Sequence, residues 1–189
     1  MKLATIKSDK PKNRDGQLVV VSHDNRHAVK PTSVAGSLLE ALQNWKEVAP
    51  RLQEISNDLN AGRVSSAFNL NIEDCLAPLP NAPGFYDGSA FLSHVVRARR
   101  SRGDQMPESA KVTPLMYQGV SDNLLPFNAP LDIMKPEYGG DFEGEFAVIT
   151  TDVPKGTPAE KMLPHFALFT MFNDITYRVL VLGEIETKF

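Results

Sequence analysis

Glu143 and Glu145 stand two positions apart in "DFEGEFAVIT", residues 141–150. Phe142, Phe146, Val148 and Ile149 are strand formers, so the segment reads as one strand. Residues two apart on a strand share a face, which puts the two carboxylates about 7 Å apart. That face continues into Ala147 and Ile149, so the pair is expected at the edge of a buried region. A third carboxylate, Asp174, follows "FALFTMF", which is apolar on both faces and reads as a strand buried between layers. Carboxylates near a core need a cation, a basic partner or a proton. A hard divalent ion, Mg²⁺ or Ca²⁺, would supply the first. These motifs contain no thiolate, which disfavours zinc. A solvated strand face is the competing reading, because a Glu-x-Glu spacing is a weak signal by itself.

The elements that would position these acids fall into two parts, residues 1–72 and 73–189. Residues 2–30 read as an antiparallel meander, with "KLATIK" and "QLVVVS" joined at Asp15-Gly16 and a second turn at Asp24-Asn25. His23 and His27 would be a metal pair on a helix; on a strand-turn-strand they do not converge and read as surface histidines. Residues 38–60 read as a helix. Leu38, Leu42, Trp45, Ala49, Leu52, Ile55 and Leu59 form one apolar stripe, Ser37 and Glu40 fit a capping box, and Gly62 fits a stop. Pro50 should kink or split that helix.

Residues 63–86 look irregular, with Pro78, Pro80 and Pro83 marking a linker or a run along a surface. A helix is expected from near Ser89, and residues 104–140 read as loop-dominated, without clear elements. Thr157-Pro158-Ala159-Glu160 predicts a helix start, limited to about two turns by Pro164. The fold class expected is α+β.

The formal net charge of −3 over 189 residues argues against a general nucleic-acid binder. Arg97, Arg99, Arg100 and Arg102 have no interleaved aromatics and read as a solvated helix face. The single cysteine, Cys75, excludes an internal disulfide and fits a reducing compartment. No apolar run approaches the ~20 residues that span a membrane, and "MKLATIKSDK" lacks a signal-peptide core. A cytoplasmic protein is expected.

In order and spacing, "FYDGSAFLSH", "PLMYQG", "DFEGEFAVIT" and "FNDITYR" resemble the successive motifs of the fumarylacetoacetate hydrolase family, as do the opening "MKLAT" and the loop "MPES". The resemblance implies a small N-terminal domain followed by part of a mixed β-roll. It implies a divalent metal, Mg²⁺ or Ca²⁺ with Mn²⁺ as a substitute, held by Asp87, Glu143, Glu145 and Asp174. His94 would activate water, and Tyr117 and Arg178 would contact substrate, with Arg178 also a candidate to balance the acidic charge. The implied reaction cleaves a carbon–carbon bond of a β-diketo acid, of the fumarylacetoacetate or acylpyruvate type. Similar proteins also include decarboxylases, isomerases and dehydratases of keto acids.

Family chains continue past the "ND" motif with a lysine-bearing segment and further strands, whereas this sequence closes at "GEIETKF". The resemblance therefore implies a chain cut short. Two consequences are expected. Activity would be impaired, leaving an inactive metal-binding or interaction module as the alternative. The exposed sheet would be covered by self-association, giving a homodimer or higher oligomer with its interface in residues 166–182.

Overall fold

The computed structural model describes residues 1–10, 13–119 and 124–187. Residues 120–123 of the expected 104–140 loop, and the last two of "GEIETKF", lie outside them. The chain is mixed helix and strand.

The meander forms as expected: β1 (Lys2–Ile6) pairs antiparallel with β2 (Gln17–Val21), and β2 with β3 (His27–Val29). Gly16 turns the first corner at φ 68°, where a Cβ would come within 2.5 Å of Thr5 Cγ2, so both conformation and space demand glycine. Asn25 takes the second corner at φ 63°. The helical stretch divides into α1 (Leu38–Gln43) and α2 (Trp45–Asn60). The break is at Asn44, not at Pro50, which lies inside α2. Ser37 Oγ accepts from the Glu40 N–H at 3.1 Å and Glu40 Oε2 accepts from the Gly36 N–H at 2.7 Å, a capping pair. At the far end Gly62 N–H donates to Leu59 O and Arg63 N–H to Asp58 O, the paired bonds of a left-handed glycine stop.

The sheet is buried on both faces, and β2 shows why its run is apolar throughout. Leu18 and Val20 face Leu38, Ala41, Leu42, Val48, Leu52 and Leu59 of the helices. Val19 and Val21 face the other way, with Ile6 and Ala28, toward Phe68, Leu70 and Cys75. The chain read as irregular after residue 63 supplies that second cover. It contains β4 (Phe68–Asn69), paired with β3, and Leu76 N–H donates to Thr5 O at 2.8 Å on the free edge of β1. Two residues are too few to show a period, which is why β4 was not legible.

The remaining elements are β5 (Tyr86–Ser89), α3 (Leu92–Arg100), β6 (Leu115–Gln118), β7 (Gly140–Asp141), β8 (Gly144–Thr150), β9 (Phe166–Asn173), β10 (Thr176–Tyr177) and α4 (Arg178–Glu186). They pair in three two-stranded antiparallel ladders: β5 with β6, β7 with β10, and β8 with β9. Five expectations are corrected here. Ser89 belongs to a strand, and the helix begins at Leu92. The 104–140 stretch contains a strand, "LMYQ". Residues 141–150 are two strands, broken at Phe142-Glu143 where the chain leaves β10 for β9. The Thr157 segment makes only 3-10 turns, Ala159–Lys161 and Leu163–His165, because two prolines six apart leave no room for an α-helix. "FALFTMF" is a strand but is not buried: Phe169 is 71% and Met171 75% exposed.

The segment "YRVLVLG" enters α4, whose Val179, Leu180, Val181 and Leu182 are exposed. Ile149, Ala167 and Leu168 do reach the first core, so the β8–β9 ladder leans one end on it.

Candidate functional site

The broken strand decides where the acids go. Glu143 occupies the break, held by both of its backbone polar groups: its N–H donates to Asn173 Oδ1 at 3.2 Å, and its C=O accepts from the Asp174 N–H at 3.0 Å. Glu145 is in β8, opposite Phe172 of β9. Asp174 follows β9 directly. Asp87 is in β5, opposite Tyr117 of β6. Phe85 links the two ladders, its ring 4.8 Å from that of Phe172 and 6.4 Å from that of Tyr117. Tyr117 Oη completes the link by donating to Asp174 Oδ2.

Asp87, Glu143, Glu145 and Asp174 thus come within electrostatic reach of one another. Burial pushes the Asp87 carboxyl above its usual range, and Asp174 and Glu143 push it further. Burial likewise raises Glu145, with Asp87, Asp174 and Glu143 adding to it. The Tyr117 hydroxyl is raised by burial and by its bond to Asp174. These acids share a crowded region without closing on a point. Among the described residues no group of three or more His, Cys, Asp or Glu is arranged to hold an ion. The electrostatic coupling and that ligand geometry measure different things: charges repel over many ångströms, whereas coordination needs oxygens within about 2.6 Å of one centre. The set is oxygen-only, which suits a hard cation, and a cation would relieve the repulsion that lifts Asp87 and Glu145.

His94 is on the exposed side of α3, near enough to lower the Asp87 and Asp141 carboxyls. Arg178 opens α4, its Nε donating to Asp141 Oδ2 at 2.8 Å and its Nη2 donating to Glu143 Oε1. Burial works against the guanidinium's charge, but the two carboxylates outweigh it and hold its pKa above the ordinary value. Arg178 thus forms ion pairs with Asp141 and Glu143. Asp141 is the participant the sequence reading missed: its carboxyl is held low by the Arg178 bond and then by the Phe142 N–H. Its position two before Glu143 was the available signal, since on one strand Asp141 would share a face with Glu143 and Glu145.

Other residues stay outside. His23 and His27 are exposed. His165 contributes its backbone, accepting from the Thr151 N–H at 2.9 Å. Among the described residues no helix is long and apolar enough to cross a membrane.

Residues 1–81 match the family described as fumarylacetoacetase N-terminal domain 2. Residues 85–187 match the fumarylacetoacetate (FAA) hydrolase C-terminal family. No curated protein matches the chain.

Proposed function

The chain belongs to the fumarylacetoacetate hydrolase family, and from that premise we propose that it is a divalent-metal-dependent hydrolase cleaving a carbon–carbon bond of a β-diketo acid, of the fumarylacetoacetate or acylpyruvate type. Asp87, Glu143, Glu145 and Asp174 would hold Mg²⁺, Ca²⁺ or Mn²⁺. The ion would supply Lewis-acid stabilisation of the enolate that leaves. His94 would take the proton of the attacking water. Tyr117 would line the substrate pocket while its hydroxyl orients Asp174, and Arg178 would balance the acids. The second half would belong to a mixed β-roll, and a second copy of the chain would cover the exposed apolar groups of residues 166–182.

The observation that carries this reading is the gathering of half-buried acids from three separate segments, where burial and then their mutual repulsion raise Asp87 and Glu145. Acids meant only for solvation have no reason to gather. Calorimetry with Mn²⁺ tests it: saturable heat in the wild type and none in Glu145→Gln or Asp87→Asn is expected, and equal heats in all three would remove the site. Loss of the diketo absorbance of an acylpyruvate, abolished in His94→Ala, tests the chemistry. A second reading, a metal-binding or interaction module without turnover, is favoured by the exposed apolar groups Phe146, Phe169 and Met171 of the β8–β9 ladder. Metal uptake with no hydrolysis would select it.

A further inference from the structure

The Arg178 guanidinium bridges two carboxylates of one short segment. Nε donates to Asp141 Oδ2 at 2.8 Å and Nη2 donates to Glu143 Oε1, while Oε2 accepts no hydrogen bond among the described residues. The backbone fixes the base of this bridge. Arg178 N–H donates to Gly139 O at 2.9 Å, and Thr176 pairs with Asp141 across the β7–β10 ladder. Gly139 has φ 66°, and a Cβ there would meet Val179 Cγ2 at 3.1 Å, so the close approach of α4 depends on glycine. Exposure falls along the bridge, with side chains 52% exposed at Asp141, 37% at Arg178 and 14% at Glu143.

We propose that Asp141 is a positioning residue: it orients the Arg178 guanidinium, which in turn fixes the Glu143 carboxylate by one oxygen and leaves the other available to a ligand. The Asp141–Arg178 arm is a half-exposed ion pair that adds little to stability, so its consequence is orientation. Only arginine suits it, because two donors of one rigid fork must reach two acceptors at once; an ammonium is a point charge without that geometry. A carboxylate held by a hydrogen-bonded neighbour is the usual way a ligand is preset before an ion arrives. The effect on cation affinity rests on the metal-site reading above, whereas the placement of Glu143 does not.

The test uses the full chain, with Asp141→Ala, Asp141→Asn and Glu145→Gln, read in two ways. The first is the ¹³C resonance of the Glu143 carboxyl without metal. The second is Mn²⁺ affinity by calorimetry. Asp141→Ala should shift the Glu143 resonance and weaken Mn²⁺ by about ten-fold, in the range known for partners of metal ligands. Asp141→Asn keeps an acceptor for Nε and should restore most of both, whereas Glu145→Gln should abolish Mn²⁺ binding and leave the Arg178–Asp141 bond intact. An unmoved Glu143 resonance in Asp141→Ala overturns the proposal whether or not Mn²⁺ binds. So does an unchanged affinity, which would make the bridge a surface staple, or an equal loss in Asn and Ala, which would make the effect one of charge alone. If the wild type takes up no Mn²⁺, the metal-site reading fails separately and the carboxyl resonance decides the bridge.

Discussion

Among the described residues every fully buried side chain falls within 5–82, and beyond Phe85 large apolar groups such as Phe146, at 82% exposed, and Phe169, at 71%, face outward. The contrast is not one of local propensity. The β8–β9 ladder is the longest in the molecule, and its register pairs Phe146 with Met171, two side chains suited to a core. What differs is cover. β2 has helices on one face and the 68–76 segment on the other, while β8–β9 reaches the first core only through Ile149, Ala167 and Leu168. A two-stranded ladder is marginal in water by itself. The first half is therefore held by packing, and the second by its lean on the first, by the backbone hydrogen bonds of Glu143 to Asn173 and Asp174 and, on the proposed function, by a cation.

Truncating Leu52, fully buried, should cost 2–5 kcal/mol (roughly, for a large-to-small core change) in urea unfolding. Truncating Phe169 should cost under about 0.5 kcal/mol in the isolated monomer. This is the largest expected difference between the halves, and it can be broken in an instructive way. If Phe169→Ala proves as costly as Leu52→Ala, and sizing shows concentration-dependent association, a second copy covers the ladder. A monomer at all concentrations with a silent Phe169→Ala would remove the proposed dimer.

Next comes the cation. Mn²⁺ at about a hundred times its dissociation constant should stabilise the folded chain by about 2.7 kcal/mol. Limited proteolysis should locate the protection in the second half, between residues 86 and 178, and Glu145→Gln should abolish it. Uniform protection of both halves would mean that the ion does not act through this site.

Without metal, the raised carboxyls of Asp87 and Glu145 set a pH dependence. A carboxyl raised in the folded state favours folding below its unfolded value, and that contribution disappears as pH rises through the raised value. At neutral pH the ionised crowd therefore opposes folding. Glu145→Gln should raise the metal-free melting temperature at pH 7, and the difference should fade by about pH 4, the ordinary carboxylate range. A variant that is destabilised at pH 7 would show that Glu145 has a partner stronger than its repelling neighbours.

The contrast between halves also explains what could be read from the sequence. The meander, the apolar stripe from Leu38 to Leu59, the Ser37 cap and the Gly62 stop were legible because each is a local pattern with one solution. The acids Asp87, Glu143, Glu145 and Asp174 were legible as motif positions, and the structure brings them within reach of one another. Three things were not legible. The break at Phe142-Glu143 depends on which strand each side pairs with, a long-range choice. The exposure of "FALFTMF" depends on the layer above it, which its own periodicity does not encode. The Asp141–Arg178 bond joins residues 37 apart, and only the β7–β10 pairing sets them face to face.

The smallest effect concerns how the two halves begin their helices. α1 starts with a side-chain cap, Ser37 Oγ accepting from the Glu40 N–H and Glu40 Oε2 from the Gly36 N–H. α3 starts at Phe91, 72% exposed and giving no side-chain cap, although His94 and Val95 donate their N–H groups to its carbonyl at 2.9 and 3.1 Å. Phe91 already has the extended backbone of a cap, at φ −79° and ψ 92°, so Phe91→Ser needs no rearrangement to offer an oxygen. It should add about 1 kcal/mol to α3, seen as slower hydrogen exchange at the amides of residues 94–100, while Ser37→Ala should cost α1 a similar amount. If Ser37→Ala behaves so and Phe91→Ser destabilises instead, the exposed phenylalanine is packed against something in solution. The start of α3, five residues after Asp87, would then be under cover like the first half, and the division between a packed half and an open one would have to move.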